Sequence, residues 1–428
     1  MWERAARYLR QAAGKAVTRS ADREAIALFE QALAALHELP ESPETLSEAL
    51  DIRLALGPCL AGIHGPGSSE FEASYVAARE LCRRLDDRTR VFPTLWGLCH
   101  VSFNRGLYRE ARSLGQELLS VARERGDSVL LLESHHSLWT VLYGSGDLES
   151  AELHVQEGLS QYDPQRHHPY ASVYGGHDPG ACCLNFAALT AWMRGYPDRA
   201  IRYSQEALRL CARLGHPRST SIALYYAAWV HYQRGETAST VEKALAGHQI
   251  GVEQGLTVGR SILLARLAGR EMMEDSELDR LHQSLRSSWW LWLSTFTTCL
   301  LAEACARAGR PDKGLTLLSE VPEHSLEMVY SSEIYRCRGE LLLSRGDAHA
   351  PEAEHCFRTA VEVASRGERR SLELRAVTSL SRLLQMKGKR EEARQMLAEI
   401  YSWFTEGFDT ADLRDARMLL DDLSAAVT

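Results

Sequence analysis

One stretch of the chain gathers the side chains best suited to chemistry. His167, His168 and His177 lie close to Cys182 and Cys183, and imidazole and thiolate are the ligands of tetrahedral zinc sites. Their spacing matches no closed zinc motif, and neighbouring cysteines on a helix point to different faces. His177 and Asp178 have the composition of an acid–base pair. The competing reading makes Asp178 the N-cap of a helix that begins at Pro179, with His177 packed on the preceding segment. Other catalytic signatures are missing. Gly14-Lys15 and Gly388-Lys389 lack the earlier glycine and the Ser/Thr of a phosphate-binding loop, and HExxH, GxSxG and GxGxxG do not occur. The residues therefore predict no enzyme, no resident metal and no cofactor.

Charge and composition narrow the partners. The 428 residues carry a formal charge of -8, with 57 acids against 49 Lys and Arg. Pairs such as Arg83-Arg84 and Arg369-Arg370 sit beside acids and read as solvated helix faces, so no stripe is present to neutralise phosphates, and nucleic acid is excluded as the main partner. No apolar run reaches the ~20 residues that span a bilayer, and MWERAARYLRQ lacks a signal peptide's apolar stretch, so no membrane partner is expected. The ten cysteines form no CxxC pair and read as small apolar residues in a reducing cytoplasm.

The segments that must position these residues are helical almost throughout. Residues 178–214 read as a hairpin: Leu184, Ala187, Ala188 and Ala191 recur at helical spacing, Gly195 breaks the run, and Pro197 starts a second helix bearing Ala200 and Ala207. Such a pair cannot bury its apolar face alone. Break glycines at 106, 146, 195, 235, 309, 346 and 388, with a degenerate one near Gly269, repeat it about every 40 residues. The second helices carry a triplet on one face: Ala25, Phe29, Ala32; then Phe71, Tyr75, Ala78; then Ala353, Phe357, Ala360. The pattern predicts an all-α, tetratricopeptide-like superhelix of about ten hairpins. Hairpins are expected over 2–37, 43–85, 90–125, 128–162, 178–214, 216–254, 258–287, 289–321, 329–366 and 370–405. One solenoid is expected over 1–428, with N-terminal repeats to 162, a long loop at 163–180, central and C-terminal repeats over 181–405, and a capping helix at 408–425.

Counting back from the break glycines places a second set of side chains on the inner face of the first helices. They are Trp96, His100 and Phe103; His136, Thr140 and Tyr143; Asn185, Leu189 and Trp192; and Tyr225, Trp229 and Tyr232. Stacked, they form an aromatic concave groove suited to a protein or peptide partner. The alternative is that curvature buries the same rings between successive helices. In the groove reading Trp96→Ala or Trp229→Ala weakens partner binding and leaves the fold intact; in the packing reading it lowers the melting temperature. The run WWLWLSTF, Trp289 to Phe296, cannot turn every tryptophan to one side, so at least one is a candidate for exposure or for contact with a second copy.

Five stretches resemble one family: ALDIRLALGPCLAGIHG, FPTLWGLCHVSFNRGLYREA, YGGHDPGACCLNFAALTAWMRGYPDRA, RCRGELLLS and WFTEGFDTADLRDARMLLDDL. They look like the C-terminal helical-repeat region of bacterial STAND/AAA-type signalling ATPases, in which a nucleotide cyclase or protein kinase domain often precedes the ATPase. HDPG at His177–Gly180 and FTEGFDTADL are the most specific matches. The resemblance implies a sensor or scaffold arm that holds a nucleotide switch off until a partner binds, with the ATPase, cyclase or kinase module encoded upstream. It assigns no ATP-binding or catalytic residue to these positions. The expected function is thus a non-catalytic interaction module. The alternative is a small-molecule receptor with a pocket beside residues 163–180.

Overall fold

The computed structural model describes residues 2–19, 21–254, 259–269, 275–286, 291–321 and 328–425. Every regular element among them is helical. The hairpins are α1 (Trp2–Thr18) with α2 (Asp22–His37), α3 (Pro43–Ile63) with α4 (Ser69–Leu85), α5 (Val91–Asn104) with α6 (Tyr108–Arg125), and α7 (Ser128–Ser145) with α8 (Leu148–Gln161). A short α9 (Pro164–His167) and a 3-10 turn (His168–Ser172) follow. Next come α10 (Pro179–Met193) with α11 (Pro197–Leu214), α12 (Pro217–Arg234) with α13 (Thr237–Glu253), and α14 (Gly259–Ala268) with α15 (Asp275–Arg286). The series ends with α16 (Leu291–Arg307) and α17 (Pro311–Ser319), α18 (Ser331–Ser344) and α19 (Ala350–Arg366), α20 (Arg370–Met386) and α21 (Arg390–Trp403), and a single α22 (Ala411–Ala425). The fold is an all-α superhelix of tetratricopeptide-like hairpins with a closing helix. No helix among the described residues is long and apolar enough to cross a membrane.

The repeated triplets work as expected from small–large–small packing. Ala25, Phe29 and Ala32, and likewise Ala353, Phe357 and Ala360, are buried. The large ring fills a notch left by glycine on the facing first helix. A Cβ at Gly57 or Gly97 would meet the Tyr75 side chain at 2.4 or 2.2 Å, and one at Gly339 would meet Phe357 at 2.5 Å. The backbones can approach this closely only because those positions lack a side chain.

Two expectations need qualification. Residues 163–180 are not a long irregular loop: α9 and the 3-10 turn occupy half of the segment, and Ala171 and Tyr174 are buried. Trp289 and Trp290 lie outside the described residues, as does the side chain of Trp292; Phe296, the last ring of the cluster, is buried.

The superhelix winds tightly enough for distant repeats to touch. The Glu406 Oε1 accepts from the backbone N–H groups of Asp198 and Arg199 at 2.9 and 2.8 Å, satisfying two of the orphan donors at the start of α11. In return, Gly407 N–H donates to Asp198 Oδ2 at 3.0 Å. Gly407 has φ +74, and a Cβ there would lie 1.9 Å from Pro197 Cγ; the turn needs glycine both for its conformation and for this approach. Arg234 joins the same contact, reaching Asp198 at 2.9 Å and Asp409 at 3.1 Å. At the other end, Arg218 at the start of α12 lies 3.5 Å from Asp22 at the start of α2. Glu406→Ala is expected to cost about 1 kcal/mol, the usual worth of a helix cap. It should also open residues 403–410 to limited proteolysis before the rest of the chain melts. Cleavage at the wild-type rate would show that the cap does not hold the closing turn.

Candidate functional site

The inner-face residues are brought together, but as an interior layer. Trp96, Phe103, His136, Tyr143, Asn185, Trp192 and Trp229 are buried; His100, Tyr225 and Tyr232 are half-buried. Trp96 lies over His100 with centroids 3.9 Å apart and against Tyr174 at 5.6 Å. Tyr143 packs edge-on to Phe186 at 5.5 Å, and Trp192 meets Trp229 edge-to-face at 5.3 Å. The stripe is therefore not an open groove. Its physical cover comes from two places. Residues 163–180 fold back over its N-terminal part through Tyr174 and His177. The C-terminal repeats lie on the rest: Phe296 and Tyr330 pack on Trp229 at 5.9 and 6.3 Å, Phe296 also meets Tyr232 at 6.2 Å, and the Arg375 guanidinium sits 4.9 Å above Trp192. Polar contacts lock this cover down. The Tyr143 and Tyr330 hydroxyls are 3.2 Å apart, Ser371 Oγ donates to Trp192 O at 2.5 Å, and Arg375 donates to Gln233 Oε1 at 2.8 Å.

Asp178 caps α10, with Oδ1 accepting from Ala181 N–H at 2.8 Å. It does more than that. Its other carboxylate oxygen accepts from the Tyr162 hydroxyl at 2.8 Å and lies 2.9 Å from His168 Nδ1. Its own N–H donates to Ser219 Oγ at 2.8 Å, and that hydroxyl is 2.7 Å from His216 Nδ1. Through its carboxylate and its N–H, one fully buried aspartate thus ties the end of α8, the 3-10 turn, α10 and the start of α12. It is not paired with His177, whose Nδ1 is 3.0 Å from Gly175 O.

The five residues first weighed as metal ligands disperse. His167 stacks on Tyr162 and bonds the Asp163 backbone, His168 bonds Asp178, and Cys183 donates to Val155 O at 3.3 Å. His177 and Cys182 instead meet His136 from α7, with one potential ligand atom of each of the three lying within 4.8 Å of the others. The His136 Nδ1 is 2.9 Å from Glu133 Oε2. His100 stands next to them, its ring 5.9 Å from that of His136, and its Nε2 is buried without a partner. Burial holds these imidazoles neutral. It pushes His136 and His177 down to about 3, and takes His100 well below the usual range with help from the two neighbouring rings. The same burial drives the Glu133 carboxyl well above its usual range and the Cys182 thiol upward. His136 had been placed on the inner stripe from its spacing; its meeting with His177 and Cys182 carries no local signal, because a contact between different hairpins leaves no short motif.

A second grouping, Glu303, Glu333 and Cys337, already holds a cation. Arg336 lies 2.6 Å from Glu303 and 2.9 Å from Glu333. The attraction of that guanidinium keeps the Glu333 carboxyl below its usual range although burial alone would raise it.

A cleft of about 450 Å³ opens between α6 and the α7–α8 hairpin. Leu119, Leu138 and Leu142 line its apolar part; Arg112, Gln116, Ser120, Arg123, Glu124 and His154 supply polar groups. Arg112 pairs with Asp147 at 3.1 Å, whereas Arg123 makes no ion pair among the described residues. Residues 163–180 do not line this cleft.

No family model matches the chain. An uncharacterized protein of Rhizobium meliloti is 24% identical over 384 residues, covering 87% of this chain. The chain spans 37% of that relative's length. Among solved structures, a Rap protein complexed with competence and sporulation factor is similar over 100% of this chain and 99% of its own, at 12% identity and a TM-score of 0.46. A STAND protein with a tetratricopeptide repeat sensor, from Pyrococcus horikoshii, is similar over 94% of this chain and 55% of its own, at 11% identity and a TM-score of 0.34.

Proposed function

We propose that this chain is a non-catalytic protein-interaction module that takes an acidic peptide segment in the cleft between α6 and α8. The observation that carries this reading is the pairing of an apolar floor with a guanidinium, that of Arg123, left without a carboxylate among the described residues. A helix or extended segment with leucine-like anchors and a carboxylate at its edge satisfies both. The absence of catalysis is supported by chemistry: the buried carboxylates Asp178, Glu333 and Glu133 are each engaged by neighbouring side chains, and the rings that spacing had placed on an inner groove are used as packing. A cytoplasmic setting is supported by ten cysteines that are all buried and unbridged.

The resemblance of FTEGFDTADL and HDPG to the repeat arms of signalling ATPases supplies the finer reading. In it the acidic segment belongs to an ATPase, cyclase or kinase module, and docking holds that module inactive. Fluorescence anisotropy with two labelled amphipathic peptides, matched in length and apolar content but opposite in charge, tests the cleft. The acidic peptide should bind, more weakly as salt rises, and Arg123→Glu should reduce its affinity at least tenfold with the melting temperature unchanged. Equal binding of both peptides, or of neither, would overturn the assignment.

A further inference from the structure

We infer that His136, His177 and Cys182 form a zinc site that ties residues 163–180 to the inner face of the repeats. Three observations carry it. The first is donor type and distance. Two imidazoles and one thiol suit a borderline-soft dication, and their potential ligand atoms lie within 4.8 Å of one another. A tetrahedral zinc ion with bonds of about 2.0–2.3 Å holds its ligand atoms about 3.3–3.8 Å apart, so the three need draw in by only about an ångström.

The second is the outer support. In both imidazoles Nδ1 already has a partner: the Gly175 carbonyl, which can only accept, at 3.0 Å for His177, and Glu133 Oε2 at 2.9 Å for His136. With Nδ1–H donating, the lone pair stands on Nε2, the tautomer a metal needs. A carboxylate or carbonyl behind the ring is the usual second partner of a ligating histidine. Gly175 makes this possible. It has φ +77, and a Cβ would lie 2.9 Å from the His177 ring and 3.2 Å from Trp96, so the turn folds the histidine back only without a side chain there.

The third is the unused nitrogen of His100. Its Nε2 is buried and unpartnered, and a buried polar atom without a partner is costly. Three protein ligands leave the fourth tetrahedral position to water, and a hydrogen bond between that water and His100 Nε2 satisfies the orphan. Metal binding breaks the Cys182 S–H bond and forms an S–Zn bond, releasing the proton to solvent. The site joins α7 to α10 and to the turn before it, and it is separate from the α6–α8 cleft.

The test is a Co²⁺ titration of the full chain, expressed without a histidine tag, stripped with chelator and kept reduced. One Co²⁺ per chain is expected, with a thiolate-to-cobalt charge-transfer band and the visible bands of tetrahedral cobalt, all displaced by Zn²⁺. Cys182→Ser should remove the charge-transfer band, Cys337→Ser should retain it, and His177→Ala should weaken Co²⁺ binding at least tenfold. Glu133→Gln should weaken it by about tenfold through the loss of outer support. No saturable band in the wild-type chain overturns the proposal whether or not the variants fold. A band that persists in folded Cys182→Ser, or an affinity that His177→Ala leaves unchanged, overturns it as well.

Discussion

Trp229→Ala should destabilise the chain by about 3–5 kcal/mol, the range for deleting a fully buried aromatic side chain. The indole is 1% exposed and stands where the first and second halves of the molecule meet. It packs edge-on to Trp192 and against Phe296 and Tyr330. Truncation leaves a cavity whose walls belong to α10, α12, α16 and the approach to α18, and four elements from distant repeats cannot all collapse onto an alanine. The loss should appear as a lower urea midpoint and as faster hydrogen exchange in α18 and α20, ahead of the N-terminal helices. Trp229→Phe should recover most of the stability, because it restores a ring and removes an indole N–H that has no hydrogen-bond partner. An unchanged midpoint for Trp229→Ala would mean that the ring is a binding surface and that the C-terminal repeats do not rest on it.

Asp178→Ala is expected to cost a similar amount, about 3–5 kcal/mol, for a different reason. The carboxylate is fully buried. Its removal takes away the α10 cap, worth about 1 kcal/mol by itself. It also leaves the Tyr162 hydroxyl and His168 without their acceptor, and breaking one side of a buried polar network costs more than the net worth of its bonds. Asp178→Asn should fall between, since its amide oxygen can still accept from Ala181 N–H or Tyr162. Denaturant midpoints for the three proteins, read with limited proteolysis over 163–177, check this. Equal midpoints for Asp178→Asn and Asp178→Ala would show that the charge, rather than the cap and the hydroxyl bond, carries the contribution.

Much of the architecture was written locally. A helix that must bury one face repeats its apolar residues at three and four, stops at a glycine and restarts at a proline or acidic turn. Those signals lie within a few residues of one another. Hence the described helices pair into hairpins, and Phe29, Tyr75 and Phe357 are buried as their triplets required. Residues 163–180 were harder, because a four-residue helix followed by a 3-10 turn has no period to read. The site was partly legible. The inner-face residues are buried or half-buried, but spacing on a helix names the face and not what lies against it.

The sequence by itself determined the helices, their pairing into hairpins and the stacking of each hairpin on the next, because every one of those contacts joins residues that are near in the chain. Only the tertiary structure decided the outcome at longer range. The per-repeat rotation adds up until Tyr330 reaches Tyr143, Glu406 caps α11, and His136 meets His177 and Cys182. Small angles summed over several repeats set those meetings, and no single repeat encodes their total. That sum turned an apparent aromatic groove into core.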